Sequence, residues 1–130
     1  MAVVLDTWPV MHFLQGRDPI RTMTTELLER SDAVMSWINL GEVFYSVRRR
    51  WGAEAADSVL QRLSANVTAD IPTPTRVIEA ATLKSEYAMS YADAFAAATA
   101  IAHDAELWTG DPELLRPDAP WRWRDLRAER

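Results

Sequence analysis

The sequence predicts an α/β sandwich, in which helices pack on a mainly parallel sheet. Short apolar runs rich in β-branched residues, such as 2–5, alternate along the chain with longer segments of helical period. This alternation is typical of strand–helix–strand units. The length of 130 residues fits one domain with one core. We therefore expect residues 1–130 to form a single domain without an internal repeat or a linker.

Five short segments are predicted to be strands because they are apolar or alternating and end near turn-forming residues. The first is followed by Asp6 and by the segment 7–9, which reads as a turn that could open a short helix. The fourth ends at the turn Gly110-Asp111-Pro112, and the fifth alternates like an edge strand. The predicted strands are residues 2–6, 33–38, 67–71, 107–109 and 121–123.

Five segments between these strands are predicted to be helices. The clearest one has apolar residues at i, i+3, i+4, i+7 and i+11, counted from Leu40, and they form one continuous face. Gly52 separates this helix from the next, and Pro74 suits the start of another. The last helix is rich in alanine, which indicates close packing on the sheet. The predicted helices are residues 19–30, 39–51, 53–64, 75–88 and 91–104.

Composition excludes several kinds of site. The chain has no cysteine, which excludes disulfides and cysteine-based zinc or redox sites. Hydrophobic residues make up 48% and charged residues 25%, as in soluble globular proteins. No segment approaches the roughly 18 apolar residues of a membrane span, and no signal peptide is apparent. We therefore expect a cytoplasmic protein without a membrane partner.

The net charge of −5 argues at first against a nucleic-acid partner. A cluster of acids around a divalent cation would change this argument, because the cation reverses the local sign of the charge. Arginines at 48–50 and at 122, 124 and 127 remain available for phosphate or partner contacts. The simpler interpretation of both arginine clusters is a solvated surface.

Four acidic residues follow predicted strands or begin predicted helices, and they are Asp6, Glu42, Asp93 and Asp111. Asp6, Glu42 and Asp111 each follow a strand, so ordinary crossovers place them at one edge of a parallel sheet. The helix of Asp93 follows another helix, so periodicity does not place it there. Four converging carboxylates would repel one another unless a cation such as Mg²⁺ or Mn²⁺ compensates them.

Each of these acids also has a purely structural interpretation. Glu42 and Asp93 stand three residues after candidate N-cap residues, which is the spacing of a capping box. Asp6 and Asp111 suit the start of a turn or helix. The two interpretations are compatible, because the start of a helix can orient a carboxylate towards a shared metal.

Five motifs occur in order over nearly the whole chain, and together they resemble the PIN-domain ribonucleases, most closely the VapC-type toxins of toxin–antitoxin pairs. The motifs are Val-Val-Leu-Asp-Thr at 3–7, Trp-Ile-Asn-Leu-Gly-Glu-Val-Phe-Tyr at 37–45, Leu-Lys at 83–84, Ser-Tyr-Ala-Asp-Ala-Phe-Ala-Ala-Ala-Thr-Ala at 90–100 and Leu-Trp-Thr-Gly-Asp-Pro-Glu at 107–113. The second and fourth motifs are the specific ones.

The resemblance implies a three-layer α/β/α fold with a central, mainly parallel sheet and a metal-dependent nuclease site. It also supplies a place for Asp93 that periodicity does not. Thr109 is expected to lie next to the metal ligands and to donate a hydrogen bond there. By position the family's acidic quartet is matched by Asp6, Glu42, Asp93 and Asp111, which would bind Mg²⁺ or Mn²⁺, and neighbouring polar positions are matched by Thr7 and Thr109.

The function that the resemblance implies is that of an endoribonuclease toxin of a type II toxin–antitoxin system. Water activated by the metal would hydrolyse RNA and leave 5′-phosphate and 3′-hydroxyl ends. The expected partners are RNA, a second copy of the chain and a cognate antitoxin, through which alone DNA would be contacted. The alternative is a catalytically weak PIN-like protein that acts as a partner in an antitoxin–DNA complex.

A phosphatase of the haloacid dehalogenase type is a third, weaker interpretation, because its second acid would stand two residues after Asp6, where this chain has Trp8. Trp8-Pro9 also departs from the VapC pattern, in which a small polar residue often follows Asp-Thr.

We expect Trp8 and Trp51 to serve packing or dimer contacts rather than base stacking. The region around Trp51 is the predicted partner surface. His12 and His103 are expected to be surface or packing residues, and Trp121 and Trp123 to be buried at the sheet edge.

Overall fold

The protein, described over residues 1–129 by a computed structural model, is organised around one five-stranded sheet. The strands are β1 (Val3–Leu5), β2 (Ala33–Ser36), β3 (Thr68–Asp70), β4 (Glu106–Thr109) and β5 (Trp123–Asp125). Their order is β3-β2-β1-β4-β5, and all neighbours are parallel. β2 and β3 therefore lie on one side of β1, and β4 and β5 lie on the other side. Such a reversal opens a crevice at the carboxyl ends of β1 and β4.

Helices connect these strands, and a short 3-10 helix at Leu126–Ala128 follows β5. None of the helices within residues 1–129 is long and apolar enough to cross a membrane. The α-helices are α1 (Thr7–Leu14), α2 (Ile20–Glu29), α3 (Trp37–Trp51), α4 (Ala53–Asn66), α5 (Pro74–Glu86) and α6 (Tyr91–Ala102).

Alternate residues of the strands supply two hydrophobic cores. Val4, Val34 and Leu107 belong to the core formed with α5 and α6. Leu5 and Met35 belong to the core on the opposite face, which α1, α2, α3 and α4 cover. This alternation follows from the two-residue period of strands. The expected three-layer α/β/α fold is therefore confirmed.

The helix α1 is the largest departure from the predicted elements, because residues 7–9, expected to form a turn that could open a short helix, are themselves the start of a helix of eight residues. Asp6 stands at its N-cap position in an extended conformation. Pro9 is the third helical residue, where the backbone N–H would have no partner within the helix. Proline is therefore compatible with this helix, although a strand-ending Thr-Trp-Pro first suggests a turn.

Most element boundaries differ from the predicted ones by one or two residues, and side-chain contacts account for two of these differences. β2 ends at Ser36, because the Ser36 hydroxyl accepts a hydrogen bond from Ile38 N–H at 3.1 Å and starts α3 two residues before Asn39. The last strand lies at Trp123–Asp125 rather than 121–123. Trp121 is instead buried in the core beside α5 and α6 and donates its indole N–H to Leu114 O at 2.9 Å. Trp123 is half-buried on β5.

Candidate metal centre

Three carboxylates meet at the crevice between the carboxyl ends of β1 and β4. Asp6 directly follows β1, Asp111 lies two residues beyond β4, and Asp93 is in the first turn of α6. One oxygen atom from each of the three lies within 4.8 Å of the other two. Three of the four acids singled out in the sequence therefore converge.

Asp93 reaches this edge because α6 begins next to the start of α3. The Asn39 side-chain amide, fully buried in α3, donates a hydrogen bond to Ala92 O at 3.1 Å. The Ser90 hydroxyl accepts from Asp93 N–H at 3.1 Å and so fixes the first turn of α6. Because α3 follows β2, this contact brings α6 to the carboxyl edge of the sheet. The contact links segments about fifty residues apart, so helical periodicity does not reveal it.

The predicted cap interpretations have different outcomes. Ser36 caps α3, so the capping box proposed for Glu42 is wrong. Ser90 caps α6 as predicted, and the carboxylate of Asp93 still points to the acidic cluster. Asp6 occupies the N-cap position of α1, but its side chain makes no capping hydrogen bond. Both carboxylates at helix starts are therefore free to serve a shared site.

Burial dominates the electrostatics of Asp6. Only 2% of this residue is exposed, and desolvation raises the pKa of its carboxyl group from 3.8 to about 6. Hydrogen bonds from Thr109 and from the Thr7 backbone oppose this rise, whereas the charges of Glu42 and Asp111 add to it. The metal-free protein thus holds Asp6 partly protonated near neutral pH, and a cation would favour its ionised form.

Asp93 has the clearest need for a positive partner. It is 4% exposed, and its Oδ2 atom is buried without a hydrogen-bond partner among residues 1–129. Burial, followed by the neighbouring Asp6, Asp111 and Glu113, raises the pKa of Asp93 to about 9. An unpaired buried acceptor among other carboxylates fits a divalent cation, and oxygen ligands alone suit Mg²⁺ or Mn²⁺. These residues therefore fit a divalent cation.

Glu42 lies outside the three-carboxylate group. Its side chain is half-buried and accepts a short hydrogen bond from the Thr7 hydroxyl. Its charge nonetheless raises the pKa of Asp6, so it lies beside the cluster. Thr7 therefore holds Glu42 at the edge of the site, and the convergence of all four acids predicted from the sequence is seen for three of them.

Thr109 joins two of the acids. Its hydroxyl is fully buried, donates to Asp6 Oδ2 at 2.7 Å and accepts from Asp111 N–H at 2.9 Å. One side chain at the end of β4 thus holds both the carboxylate of Asp6 and the backbone of Asp111. The hydrogen-bond donor expected at this position is present.

We expect Thr109→Val to weaken Mn²⁺ binding by about 10- to 100-fold, because ligands that lose such supporting hydrogen bonds are less well oriented. Calorimetric titration with Mn²⁺ measures this change. Thr99→Val is the matched control, since Thr99 is equally buried and bonds only to Phe95 O within α6. Equal Mn²⁺ affinities for the two variants would contradict the role of Thr109.

Glu113 is a further acid near the site, and it is not among the four acids predicted from the sequence. Its backbone N–H donates to Asp111 Oδ1 at 3.0 Å. Its side chain is exposed, and its proximity contributes to the raised pKa of Asp93. The sequence did contain one signal for Glu113. It stands two residues after Asp111, in the same turn that follows a predicted strand.

Trp8 packs beside the site rather than standing free at its entrance. A Cβ atom added at Gly110 would lie within 2.6 Å of three atoms of the Trp8 indole, so the indole lies directly against this glycine. The His12 ring stacks on Trp8 with centroids 3.7 Å apart, and its Nδ1 lies 3.0 Å from Trp8 O. The departure at Trp8-Pro9 is therefore accommodated by Gly110, and Trp8 closes one side of the turn that carries Asp111.

His103 and the arginine clusters lie at other places in the fold. His103 Nε2 lies 2.8 Å from Asp70 Oδ2, at the end of the edge strand β3. The exposed arginines 48–50 end α3, where Arg50 lies over the Trp51 ring at 5.4 Å. The other arginines form local ion pairs, and these are Arg122 with Asp104, Arg124 with Glu129 and Arg127 with Asp125.

Comparison with known proteins agrees with this fold. The PIN domain model matches residues 3–120, whereas no curated protein sequence matches the chain. The VapBC2 structure from Rickettsia felis, bound to a promoter DNA fragment, is 18% identical with a TM-score of 0.77, covering 96% of this chain and 98% of that one. DNA-bound VapBC from Salmonella typhimurium gives the same four values.

A third solved structure is VapC20 of Mycobacterium tuberculosis, described as a Sarcin-Ricin loop cleaving toxin. It is 21% identical with a TM-score of 0.70, covering 87% of this chain and 92% of that one. At such low identity these similarities establish the fold. The family model, which spans most of the sequence including Asp6, Glu42, Asp93 and Asp111, establishes the family. The chain belongs to the PIN domain family.

Proposed function

We propose that this PIN domain is a metal-dependent endoribonuclease toxin of a type II toxin–antitoxin system. The observation that carries the proposal is the group of three carboxylates at the β1–β4 crevice, in which a buried Asp93 oxygen has no partner among residues 1–129. The similarity to VapC20, named as a Sarcin-Ricin loop cleaving toxin, and to two VapBC complexes supports the class of activity.

In this proposal Asp6, Glu42, Asp93 and Asp111 hold one or two Mg²⁺ or Mn²⁺ ions. When bound, the cation would lower the pKa of water and neutralise charge on a phosphate of the RNA. Asp6 and Asp93 give up the protons that burial favours, so that binding of the cation is coupled to their ionisation. The hydroxyl of Thr109 orients Asp6 and that of Thr7 orients Glu42.

The proposed partners follow from the same similarities. Two of the similar structures are VapBC complexes with DNA, and we propose a cognate antitoxin that covers the site and alone contacts DNA. A second copy of the chain would bind through the end of α3, where Trp51 is 49% exposed. We also propose that residues 1–130 act as one domain in the cytoplasm, where RNA is available.

Sequencing of RNA ends after controlled expression tests the proposal, with the Asp93→Asn variant as control. We expect cuts that depend on Asp93 and that leave 5′-phosphate and 3′-hydroxyl ends, because water is the expected nucleophile. Ends with a 2′,3′-cyclic phosphate would show instead that the ribose hydroxyl attacks. Identical RNA ends from both proteins would favour the alternative, a PIN-like protein that acts only through its partners.

A further inference from the structure

An aromatic ring covers the backbone of Gly110, the residue between the end of β4 and Asp111. A Cβ atom at this position would lie within 2.6 Å of three atoms of the Trp8 indole, so no side chain fits while the indole is in place. The φ angle of Gly110 is not in the left-handed region, unlike those of Gly16 and Gly52. The close approach of Trp8, rather than an unusual backbone conformation, therefore requires glycine here.

Both faces of the Trp8 indole are occupied by this chain. The three atoms nearest to the Cβ position of Gly110 are Cε2, Cζ2 and Cδ2, so the glycine lies over one face of the fused rings and not at their edge. The His12 ring stacks on the indole with planes inclined by 21° and therefore covers the opposite face. His12 is held in turn, because its Nδ1 lies 3.0 Å from Trp8 O. With both faces covered, the indole serves a contact within the protein.

The turn beside this contact carries one of the three converging carboxylates. The Thr109 hydroxyl accepts from Asp111 N–H at 2.9 Å, and Asp111 Oδ1 accepts from Glu113 N–H at 3.0 Å. These two hydrogen bonds join residues of the same short segment. The Trp8 indole adds a contact from α1, and it does so at the residue directly before Asp111. A shift of the indole would therefore move the backbone from which the Asp111 carboxylate extends.

Three consecutive residues where α1 begins are each connected to the candidate metal centre. Asp6 supplies one of the converging carboxylates. Thr7 donates a hydrogen bond to Glu42. Trp8 packs on the residue before Asp111. Because oxygens of like charge converge within 4.8 Å, the backbone around them must be held against their mutual repulsion.

We propose that Trp8 is a positioning residue of the candidate metal centre, whose indole holds the backbone of Gly110 and thereby keeps Asp111 where a cation can bind it together with Asp6. The proposal rests on the metal site of the proposed function and gives a role to a residue that supplies no ligand atom. Residues that orient metal ligands in this way contribute to metal affinity without binding the metal themselves.

Calorimetric titration with Mn²⁺ tests the proposal on the wild type, Trp8→Ala, Gly110→Ala and the double variant. We expect Trp8→Ala to weaken Mn²⁺ binding by about 10-fold or more, because the turn loses its support. Gly110→Ala should have a similar effect, because the new Cβ atom and the indole cannot both keep their places. In the double variant the Cβ atom has room. Its affinity is therefore expected to lie within about twofold of that of Trp8→Ala alone.

Phe13→Ala is the matched control for the loss of an aromatic ring from α1. Phe13 is half-buried near the other end of this helix and lines a groove with Leu28 and Leu63. We expect this variant to have a lower melting temperature, as Trp8→Ala does, but to bind Mn²⁺ like the wild type. Titrations well below the lowest melting temperature keep unfolding out of the comparison.

Trp8→Phe is the conservative variant, because phenylalanine keeps a flat ring between His12 and Gly110. We expect it to retain most of the Mn²⁺ affinity. The Mn²⁺ dependence of RNA cleavage provides a second measurement. Trp8→Ala should need about 10-fold more Mn²⁺ for half of its maximal rate, and most of the wild-type rate should return when Mn²⁺ is saturating. A variant that was merely less stable would not be rescued in this way.

Several results would overturn the proposal. Wild-type Mn²⁺ affinity in Trp8→Ala or in Gly110→Ala would do so, as would an equal loss in Phe13→Ala. Losses that add in the double variant would show that the indole and the glycine act independently. If Trp8→Ala does not fold, lower affinity in Gly110→Ala together with retained affinity in Trp8→Phe supports the proposal, and any other pair of results overturns it.

Failure of the proposed function is distinguishable from failure of this proposal. A wild type that binds Mn²⁺ but cleaves no RNA would contradict the ribonuclease function alone, and the affinities of the variants would still decide the role of Trp8. A wild type that cleaves RNA while Trp8→Ala binds Mn²⁺ equally well would contradict the role of Trp8 alone. A wild type that binds no Mn²⁺ would overturn both.

Discussion

Asp93→Asn is expected to lose metal-dependent RNA cleavage by about a thousandfold or more, as when one member of a cooperating catalytic group is removed. The buried Oδ2 of Asp93 has no partner among residues 1–129, and the carboxylate is within 4.8 Å of oxygens of Asp6 and Asp111. Asparagine keeps the size of the side chain but removes the negative charge. Cleavage of a labelled RNA with Mg²⁺ or Mn²⁺ measures the loss.

The same variant is expected to be at least as stable as the wild type when no metal is present. Burial and the neighbouring acids raise the pKa of Asp93 to about 9, so its charge is unfavourable in the folded protein. A gain of about 1 kcal/mol would raise the melting temperature by roughly 3–5 °C for a domain of this size. Loss of activity together with equal or higher stability would separate a site effect from unfolding.

Asp57→Asn is the matched control for both measurements. Asp57 is exposed on α4, away from the carboxyl edge of β1 and β4. We expect this variant to retain full activity and the melting temperature of the wild type. Retention of Mg²⁺-dependent cleavage by Asp93→Asn would remove Asp93 from the site. A large loss of stability in Asp93→Asn alone would show that its carboxyl group has a structural role.

The fold was predictable where one local signal controlled an element. Hydrophobic periodicity from Leu40 predicted α3, and the alanine-rich segment predicted the buried helix α6. Boundaries were harder, because short polar contacts determine them. The Ser36 hydroxyl caps α3 at the end of β2. Trp121, which alternation placed in the edge strand, is buried in the core instead. Such contacts depend on the assembled fold, and the alternation of residue types does not show them.

The site was predictable only in part for a similar reason. Asp6 and Asp111 follow strands, so parallel-sheet topology brings them together. Asp93 depends on the contact between Asn39 and Ala92, which no local pattern reveals. Glu113 was missed, because an exposed glutamate in a turn has an ordinary surface explanation. The resemblance to PIN-domain ribonucleases predicted the position of Asp93. Glu113 can be recognised as a neighbour of the site only when the position of Asp93 in the fold is known.

The stability of the metal-free protein is expected to fall as pH rises above about 4. The pKa of Asp6 is raised from 3.8 to about 6 and that of Asp93 to about 9. Between the unfolded and folded values the folded chain binds more protons than the unfolded chain, so stability decreases with rising pH. For Asp6 alone the loss is up to about 3 kcal/mol. Melting curves in EDTA from pH 4 to pH 9 measure the combined loss from Asp6 and Asp93.

Divalent metal should change this pH dependence, because the cation competes with the protons on Asp6 and Asp93. Free Mn²⁺ at about ten times its Kd stabilises the folded state by about 1.4 kcal/mol, or roughly 5 °C. We expect the rise in melting temperature at a fixed Mn²⁺ concentration to be larger at pH 8 than at pH 5. Asp57→Asn should show the same rise as the wild type, and Asp93→Asn a much smaller one. A rise that is equal at both pH values, or equal in all three proteins, would mean that Mn²⁺ binds away from the three carboxylates.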